Sequence, residues 1–190
     1  MKKQMTGRGV GPRFTIISGI YAAIIFVIHF VWLSHLSLPL PRLISLIIGI
    51  LLVITGLPIF ILPGIVIDKY FNEGKLATEG VYAYLRHPIY GSWIVFIMPG
   101  IVFIINSLLG LTIPFFMYFV FRILIIEEEK YLEKKFGDDY FKYKKRVGSI
   151  FPKLMIILKK WGSSVKIAPL KIACSANQIT RKYLYFLLKR

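Results

Sequence analysis

Four long apolar runs dominate the sequence of this 190-residue chain. They extend over Phe14–Leu33, Leu43–Leu62, Ile89–Ile105 and Ser107–Ile126. A helix needs about 20 apolar residues to cross the hydrocarbon core of a bilayer, and about 17 is the practical minimum. Hydrophobic residues make up 56% of the chain, and a soluble globule this small could not bury them all. The sequence therefore predicts an all-α integral membrane protein with about four transmembrane helices.

Proline and glycine residues predict irregularities within these helices. The dipeptide Pro99-Gly100 interrupts the third run, which is also the shortest. Further kinks or breaks are expected at Pro58, Pro63 and Pro114, because proline lacks the N–H that an interior helical position donates. Only the region around Asn106 separates the last two runs, so they are expected to form a tight helical hairpin.

The basic residues predict how the chain is oriented in the membrane, because cytoplasmic connections carry an excess of Lys and Arg. The segment that leads into the first run has four basic residues, Lys2, Lys3, Arg8 and Arg13, and the first connection has one, Arg42. The second connection has three, Lys69, Lys75 and Arg86, and the third has none. Most of the 25 Lys and Arg follow the fourth run. Both termini and the second connection are therefore expected to be cytoplasmic. With a net charge of +16, this distribution favours membrane lipids over nucleic acid as the partner.

Past the fourth run the chain is expected to stay helical on the cytoplasmic side. One apolar stripe recurs there at helical spacing: Leu132, Phe136, Tyr140, Tyr143 and Val147. Gly137 is expected to break or bend this helix between Phe136 and Asp138.

A first polar cluster, Arg86-His87-Pro88-Ile89-Tyr90, stands at the cytoplasmic start of the third run. Proline is favoured at the first position of a helix. The N–H groups from Ile89 to Gly91 should then be free, and together with Arg86 and His87 they would bind a carboxylate or phosphate. In the alternative, Arg86 and His87 only anchor the helix among the lipid headgroups.

A second polar cluster, Glu127-Glu128-Glu129, stands at the cytoplasmic end of the fourth run. Three carboxylates are unusual in so basic a chain, and they are expected on the same side as Arg86 and His87. A ligand that carries both a carboxylate and cations would find partners for each. In the alternative, the glutamates cap the helix and pair with Lys130 and Lys134.

The two clusters belong to longer motifs. The first reads Gly80-Val81-Tyr82, three residues, then Arg86-His87-Pro88-Ile89-Tyr90; the second reads Glu128-Glu129-Lys130-Tyr131-Leu132, three residues, then Phe136-Gly137, and continues through Tyr140 and Tyr143 to Val147. Together they resemble the isoprenylcysteine carboxyl methyltransferase family, within the wider group that includes phospholipid N-methyltransferases. The resemblance extends from Gly80 to Pro152. It departs at Ser92, where many relatives have glycine two residues after the tyrosine of the first motif.

The resemblance implies an S-adenosylmethionine-dependent methyltransferase, with carboxyl O-methylation of an isoprenylcysteine-like acceptor as the favoured reaction. The methyl donor would bind a cytoplasm-facing pocket between the two motifs, closed by the helical segment after the fourth run, and a tunnel would lead to the lipid. By the same resemblance the catalytic residues are Arg86, His87 and Glu128, and the donor is bound by His87, Tyr90, Glu128, Glu129, Tyr140 and Tyr143.

The chain is then expected to comprise three parts: residues 1–62 as an N-terminal membrane hairpin, residues 63–152 as the catalytic methyltransferase core, and residues 153–190 as a basic, surface-associated tail. His29, a polar group inside the first run, is expected to pack with a bonded partner. No cluster with ligand spacing predicts a metal site. Cys174, in the tail, is expected to have no role in the chemistry.

Three other functions stay open on the sequence. A phospholipid or other small-lipid N-methyltransferase would need a base such as His87 or a glutamate, because its amine must lose a proton. A membrane reductase that uses NADPH would favour basic residues around the cofactor's phosphates, and the glutamate triplet argues against it. A membrane protein without catalytic activity would leave the two motifs unexplained.

Overall fold

The computed structural model describes residues 9–153, apart from the side chains of residues 68, 69, 71 and 72. This part of the chain contains four long helices: α1 (Gly11–Val31), α2 (Arg42–Asn72), α3 (Pro88–Ile105) and α4 (Thr112–Arg146). Each is long and apolar enough to cross a membrane. Among the described residues no β-strand accompanies them, and only two isolated bridges occur. The prediction of an all-α membrane protein with four spans is confirmed.

The chain divides into two compact units, Met1–Phe151 and Pro152–Arg190. The four helices belong to the first unit. Of the second unit the structure describes only Pro152 and Lys153. The surface-associated tail and Cys174 therefore lie outside the described residues, and the expected division into three parts stays a prediction.

The second helix, α2, is longer than its apolar run predicts. It continues past Leu62 to Asn72, and both Pro58 and Pro63 lie inside it, so the expected kink or break at these prolines is not a break. A proline removes one backbone donor from the helix. A chain that left the helix within lipid would expose many more unsatisfied polar groups. The helix is therefore the less costly conformation here.

The third helix, α3, is irregular just before its internal proline. Residues Trp93–Ile97 form a π-helical turn between the α-helical segments Pro88–Ser92 and Met98–Ile105. Pro99 cannot donate to the carbonyl four residues earlier, and a π-turn is the usual form that such a slip in the hydrogen-bond ladder takes. The expected interruption at Pro99-Gly100 is thus a local change of pitch within a continuous span.

Glycines allow α2 and α3 to approach closely. A Cβ atom added at Gly49 would lie 2.7 Å from the Gly100 carbonyl oxygen, and one added at Gly100 would lie 2.9 Å from the Gly49 carbonyl oxygen. Small residues at such contacts are typical of membrane helices. Helix α1 packs along α4, whereas the described parts of α1 and α2 make hardly any contact with each other.

Two turns set the direction of the chain around α4. Asn106 ends α3 in the left-handed conformation, with φ 64°, and the predicted tight hairpin follows from it. Gly137 has φ 54° and ψ −128° inside α4, which confirms the predicted bend. A positive φ costs glycine nothing, because it has no Cβ. After the bend, Tyr140, Tyr143 and Val147 are buried, and the chain returns towards the start of α3.

Candidate active site

A buried charge network joins the segment before α3 to α4. Arg86 Nη1 donates to Glu129 Oε1, and His87 Nε2 lies 3.3 Å from the same oxygen. His87 Nδ1 lies 3.6 Å from Glu128 Oε1. Lys144, beyond the bend in α4, places its Nζ 2.8 Å from Glu129 Oε2. The structure therefore brings together the two clusters that the sequence keeps about forty residues apart.

Backbone hydrogen bonds fix the position of the two cations. The Arg86 N–H donates to the Gly148 carbonyl at 2.8 Å, and the His87 N–H donates to the Ser149 carbonyl at 3.1 Å. The Gly91 N–H in turn donates to the His87 carbonyl at 3.0 Å, because His87 is the N-cap that accepts the first helical bond. The expectation that the N–H groups from Ile89 to Gly91 are all free is therefore wrong at Gly91.

The carboxylates around His87 favour its charged form. Burial alone lowers the pKa of His87, but hydrogen bonds and charge interactions with Glu128 and Glu129 outweigh this effect and raise the pKa above 6.5. Its side chain is only 3% exposed. An imidazolium between two carboxylates can donate from both ring nitrogens. Both ring nitrogens of His87 are thus occupied by carboxylates of the network.

Glu128 and Glu129 have different surroundings. Glu129 is shared by Arg86, His87 and Lys144 and does not belong to the lining of the neighbouring cavity. Glu128 lines that cavity. Direct donor binding, which the resemblance implies for both, is consistent with the position of Glu128, whereas Glu129 orders the cations beside it.

The cavity has a volume of about 930 Å³, which lies within the range of about 300–1,000 Å³ typical of small-molecule sites. Six of the seven residues that the resemblance implies line the cavity and define its polar end: Arg86, His87, Tyr90, Glu128, Tyr140 and Tyr143. The other end is apolar and is lined by side chains of α1, α2 and α3: Ile16, Phe60, Ile61, Ile65 and Trp93. This apolar end is thus formed largely by helices α1 and α2, which hardly touch each other.

The tyrosines of the site differ in what their hydroxyl groups contact. Tyr90 donates to Glu128 Oε2 at 3.0 Å. Tyr143 donates to the Tyr82 carbonyl at 2.7 Å, so its hydroxyl serves to hold the segment before α3. The Tyr140 hydroxyl and Arg86 Nε are buried and make no well-aligned hydrogen bond among the described residues, although the two side chains lie next to each other. Both atoms belong to cavity-lining side chains, and buried donors without such a bond indicate a place for a ligand.

The N-terminus of α1 also reaches the site, which sequence reasoning did not foresee. The Val10 N–H donates to Glu128 Oε2 at 3.1 Å, Gly9 lies against the same carboxylate, and Phe14 contacts Tyr90 edge-on with a centroid distance of 5.2 Å. No local motif marks these residues. Gly9 has a positive φ of 55°, but nothing in the sequence separates it from Gly7 and Gly11 on either side.

His29 lies apart from the cavity. Its side chain is buried, and its Nδ1 has no hydrogen-bond partner among the described residues. The expected bonded partner is therefore absent at that atom in this part of the chain. Within residues 9–153 no group of three His, Cys, Asp or Glu side chains is placed to hold a metal ion.

Comparison with known proteins gives a match to a family model and several similar sequences. The model describes phospholipid methyltransferases and matches residues 43–139. The chain is 34% identical over 88 residues to protein-S-isoprenylcysteine O-methyltransferase of Schizosaccharomyces pombe, and this match covers 46% of this chain and 37% of the relative. It is 38% identical over 88 residues to the protein of the same name from Homo sapiens, and this match covers 46% of this chain and 31% of the relative. The match thus spans about a third of each relative, and the resemblance stated from the two motifs is confirmed.

The fold is also similar to that of a solved structure, the eukaryotic intramembrane Ras methyltransferase, an isoprenylcysteine carboxyl methyltransferase. The TM-score is 0.54 at 23% sequence identity, over 79% of this chain and 57% of the other. At this identity the likeness concerns the fold.

Proposed function

Because the chain belongs to the phospholipid methyltransferase family, we propose that it transfers a methyl group from S-adenosylmethionine to the carboxylate of a lipid-bearing acceptor, such as a prenylated cysteine. The observation that carries this proposal is the cavity with one polar and one apolar end. Arg86, Tyr90, Glu128 and Tyr140 line the polar end, and Trp93 lies at the apolar end.

The polar end fits the charges of the methyl donor. Bound S-adenosylmethionine would supply an electrophilic methyl group, and it carries an ammonium and a carboxylate. Glu128 binds the ammonium, because it is the carboxylate that lines the cavity. Arg86 Nε and the Tyr140 hydroxyl are donors that make no well-aligned hydrogen bond among the described residues, and they bind the carboxylate. The Tyr90 ring borders the same space and attracts a cation above it by about 0.5–2 kcal/mol.

The apolar end fits the chain of the acceptor. Ile61 and Ile65 on α2 and Ile16 on α1 border this end, and each is more than half exposed, on helices that hardly touch. An acyl or prenyl chain that enters between α1 and α2 would replace lipid against these side chains. Each CH₂ group buried contributes about 0.8 kcal/mol of binding.

The contacts of His87 favour a carboxylate over an amine as the nucleophile. A carboxylate is ionised at neutral pH, with a reference pKa of about 3.5 for a terminal carboxyl, so positioning and removal of water suffice for its reaction. An amine must first lose a proton. Both ring nitrogens of His87 face carboxylates, Nδ1 at 3.6 Å from Glu128 Oε1 and Nε2 at 3.3 Å from Glu129 Oε1, so neither is directed at an amine of a bound acceptor.

Phospholipid N-methylation is the second candidate, because the matching family model describes phospholipid methyltransferases. The two reactions are distinguished by incubating the purified protein with radiolabelled donor and either a farnesylcysteine analogue or phosphatidylethanolamine. We expect label on the farnesylcysteine analogue that base releases as volatile methanol, since a methyl ester hydrolyses and an N-methyl group does not. Base-stable label on the phospholipid alone would overturn the carboxyl reaction in favour of the second candidate.

A further inference from the structure

The first turn of α1 is in direct contact with the carboxylate that we assign to the donor's ammonium. Val10 is the N-cap of α1, and its N–H donates to Glu128 Oε2 across 118 positions of sequence. Val10 is 4% exposed. Two further contacts hold the turn in place: Arg13 pairs with Glu127 at 2.9 Å, and Phe14 packs edge-on against Tyr90. The contact is thus part of a packed interface.

Gly9 is the residue that makes this contact possible. Its φ of 55° lies in the left-handed region, which a residue with a Cβ rarely adopts. A Cβ atom at Gly9 would lie 2.8 Å from Glu128 Cδ and closer still to Oε2. Any larger residue would therefore displace either the carboxylate or the start of α1.

The contact leaves the two oxygens of Glu128 with different roles. Oε2 accepts from the Val10 N–H and from the Tyr90 hydroxyl, so both of its lone pairs are used. Oε1 faces His87 Nδ1 at 3.6 Å and keeps acceptor capacity for a ligand. Because both hydrogen bonds fall on one oxygen, they fix the rotation of the carboxylate about its last bond.

We propose that Gly9 and Val10 are positioning residues for the methyl donor: the start of α1 holds Glu128 Oε2, so that Oε1 is presented to the donor's ammonium. This inference rests on the proposed function. The N-terminal turn of α1 would then contribute to donor binding, although it lies outside the two motifs and outside the residues that match the family model.

The test compares Gly9→Ala with Gly74→Ala in the full-length, detergent-purified protein. Gly74 has a φ of 65° and nothing within 4 Å of an added Cβ, so its variant has similar backbone strain without a contact to Glu128. Calorimetry measures binding of S-adenosylhomocysteine, which carries the ammonium, and of methylthioadenosine, which lacks it. For Gly9→Ala we expect about tenfold or greater loss for S-adenosylhomocysteine, the scale of a charge-assisted hydrogen bond, and little change for methylthioadenosine. Gly74→Ala should bind both ligands as the unmodified protein does.

An ester at position 10, introduced as the α-hydroxy acid analogue of valine, removes only the N–H and keeps the side chain. It should reproduce the selective loss for S-adenosylhomocysteine, even if Gly9→Ala does not fold. Equal losses for the two ligands, or unchanged binding of S-adenosylhomocysteine by the ester, would overturn the positioning role. If the unmodified protein binds neither ligand, the proposed function itself fails, and that outcome is separate from the others.

Discussion

Replacing Glu129 with glutamine removes the negative charge that three cations share. Arg86, His87 and Lys144 all contact this carboxylate, and Glu129 and Arg86 are only 14% and 11% exposed. Removing one partner of a buried ion pair typically costs 3–5 kcal/mol, because the remaining charge stays desolvated. We expect about 3 kcal/mol, the lower end of that range, since the amide oxygen of glutamine still accepts one hydrogen bond and Lys144, 36% exposed, can turn to solvent.

Thermal unfolding in detergent measures this cost. For a chain of 150–250 residues each 1 kcal/mol corresponds to roughly 2–4 °C in Tm, so Glu129→Gln should lower Tm on the order of 6–12 °C. Glu127→Gln is the matched control. Glu127 pairs with Arg13 at 2.9 Å, but both side chains are about half exposed, and such pairs contribute about 0–1 kcal/mol. Equal Tm values for the two variants would refute the conclusion that Glu129 organises a buried network.

Three further predictions follow from the site. Glu128→Gln should weaken binding of S-adenosylhomocysteine in calorimetry by about tenfold or more, with a smaller change in Tm than Glu129→Gln, and unchanged affinity would show that Glu128 does not contact the donor. The pKa of His87 is raised in the folded protein, so its contribution to the free energy of unfolding is fully present below the unfolded-state pKa of 6.5 and is lost as the pH rises through the folded-state pKa. Tm should therefore fall as the pH rises over that window. A His87→Gln variant with the same pH dependence of Tm would contradict this assignment. In a Cys174→Ser background, Ser37→Cys and Lys75→Cys should be labelled by impermeant reagents from opposite faces of the membrane, and labelling from one face would overturn the predicted orientation.

The sequence predicts best those features of the structure that depend on local patterns. Apolar length predicts the four spans, because the thickness of the bilayer sets a nearly fixed requirement. Gly137 predicts the bend in α4, since the left-handed conformation found there favours glycine. Arg86 and Glu129 could be expected to meet because the predicted orientation puts their clusters on one side of the membrane.

Features that depend on distant contacts could not be predicted. The three adjacent glutamates look equivalent in the sequence, yet Glu127 pairs with Arg13, Glu128 lines the cavity and Glu129 joins the cations. Their directions follow from the rotation of α4, and a helix places successive residues about 100° apart. The docking of Val10 on Glu128 joins residues 118 positions apart, for which one sequence offers no signal.

The contact of Gly49 with Gly100 has a consequence for how the protein responds to its surroundings. Lipid chains are as apolar as leucine, so water does not drive α2 and α3 together, and their association depends on the shape of the two surfaces. A single added methyl group at Gly100 would therefore act as a wedge, with the Val53 side chain 2.7 Å away and the Gly49 carbonyl at 2.9 Å. Farther along the same pair of helices, Phe60 and Trp93 meet edge-on at 5.8 Å and both face the cavity. If the acceptor binds as proposed, the width of the space between Phe60 and Trp93 would therefore follow the fit of the glycine surfaces farther along α2 and α3.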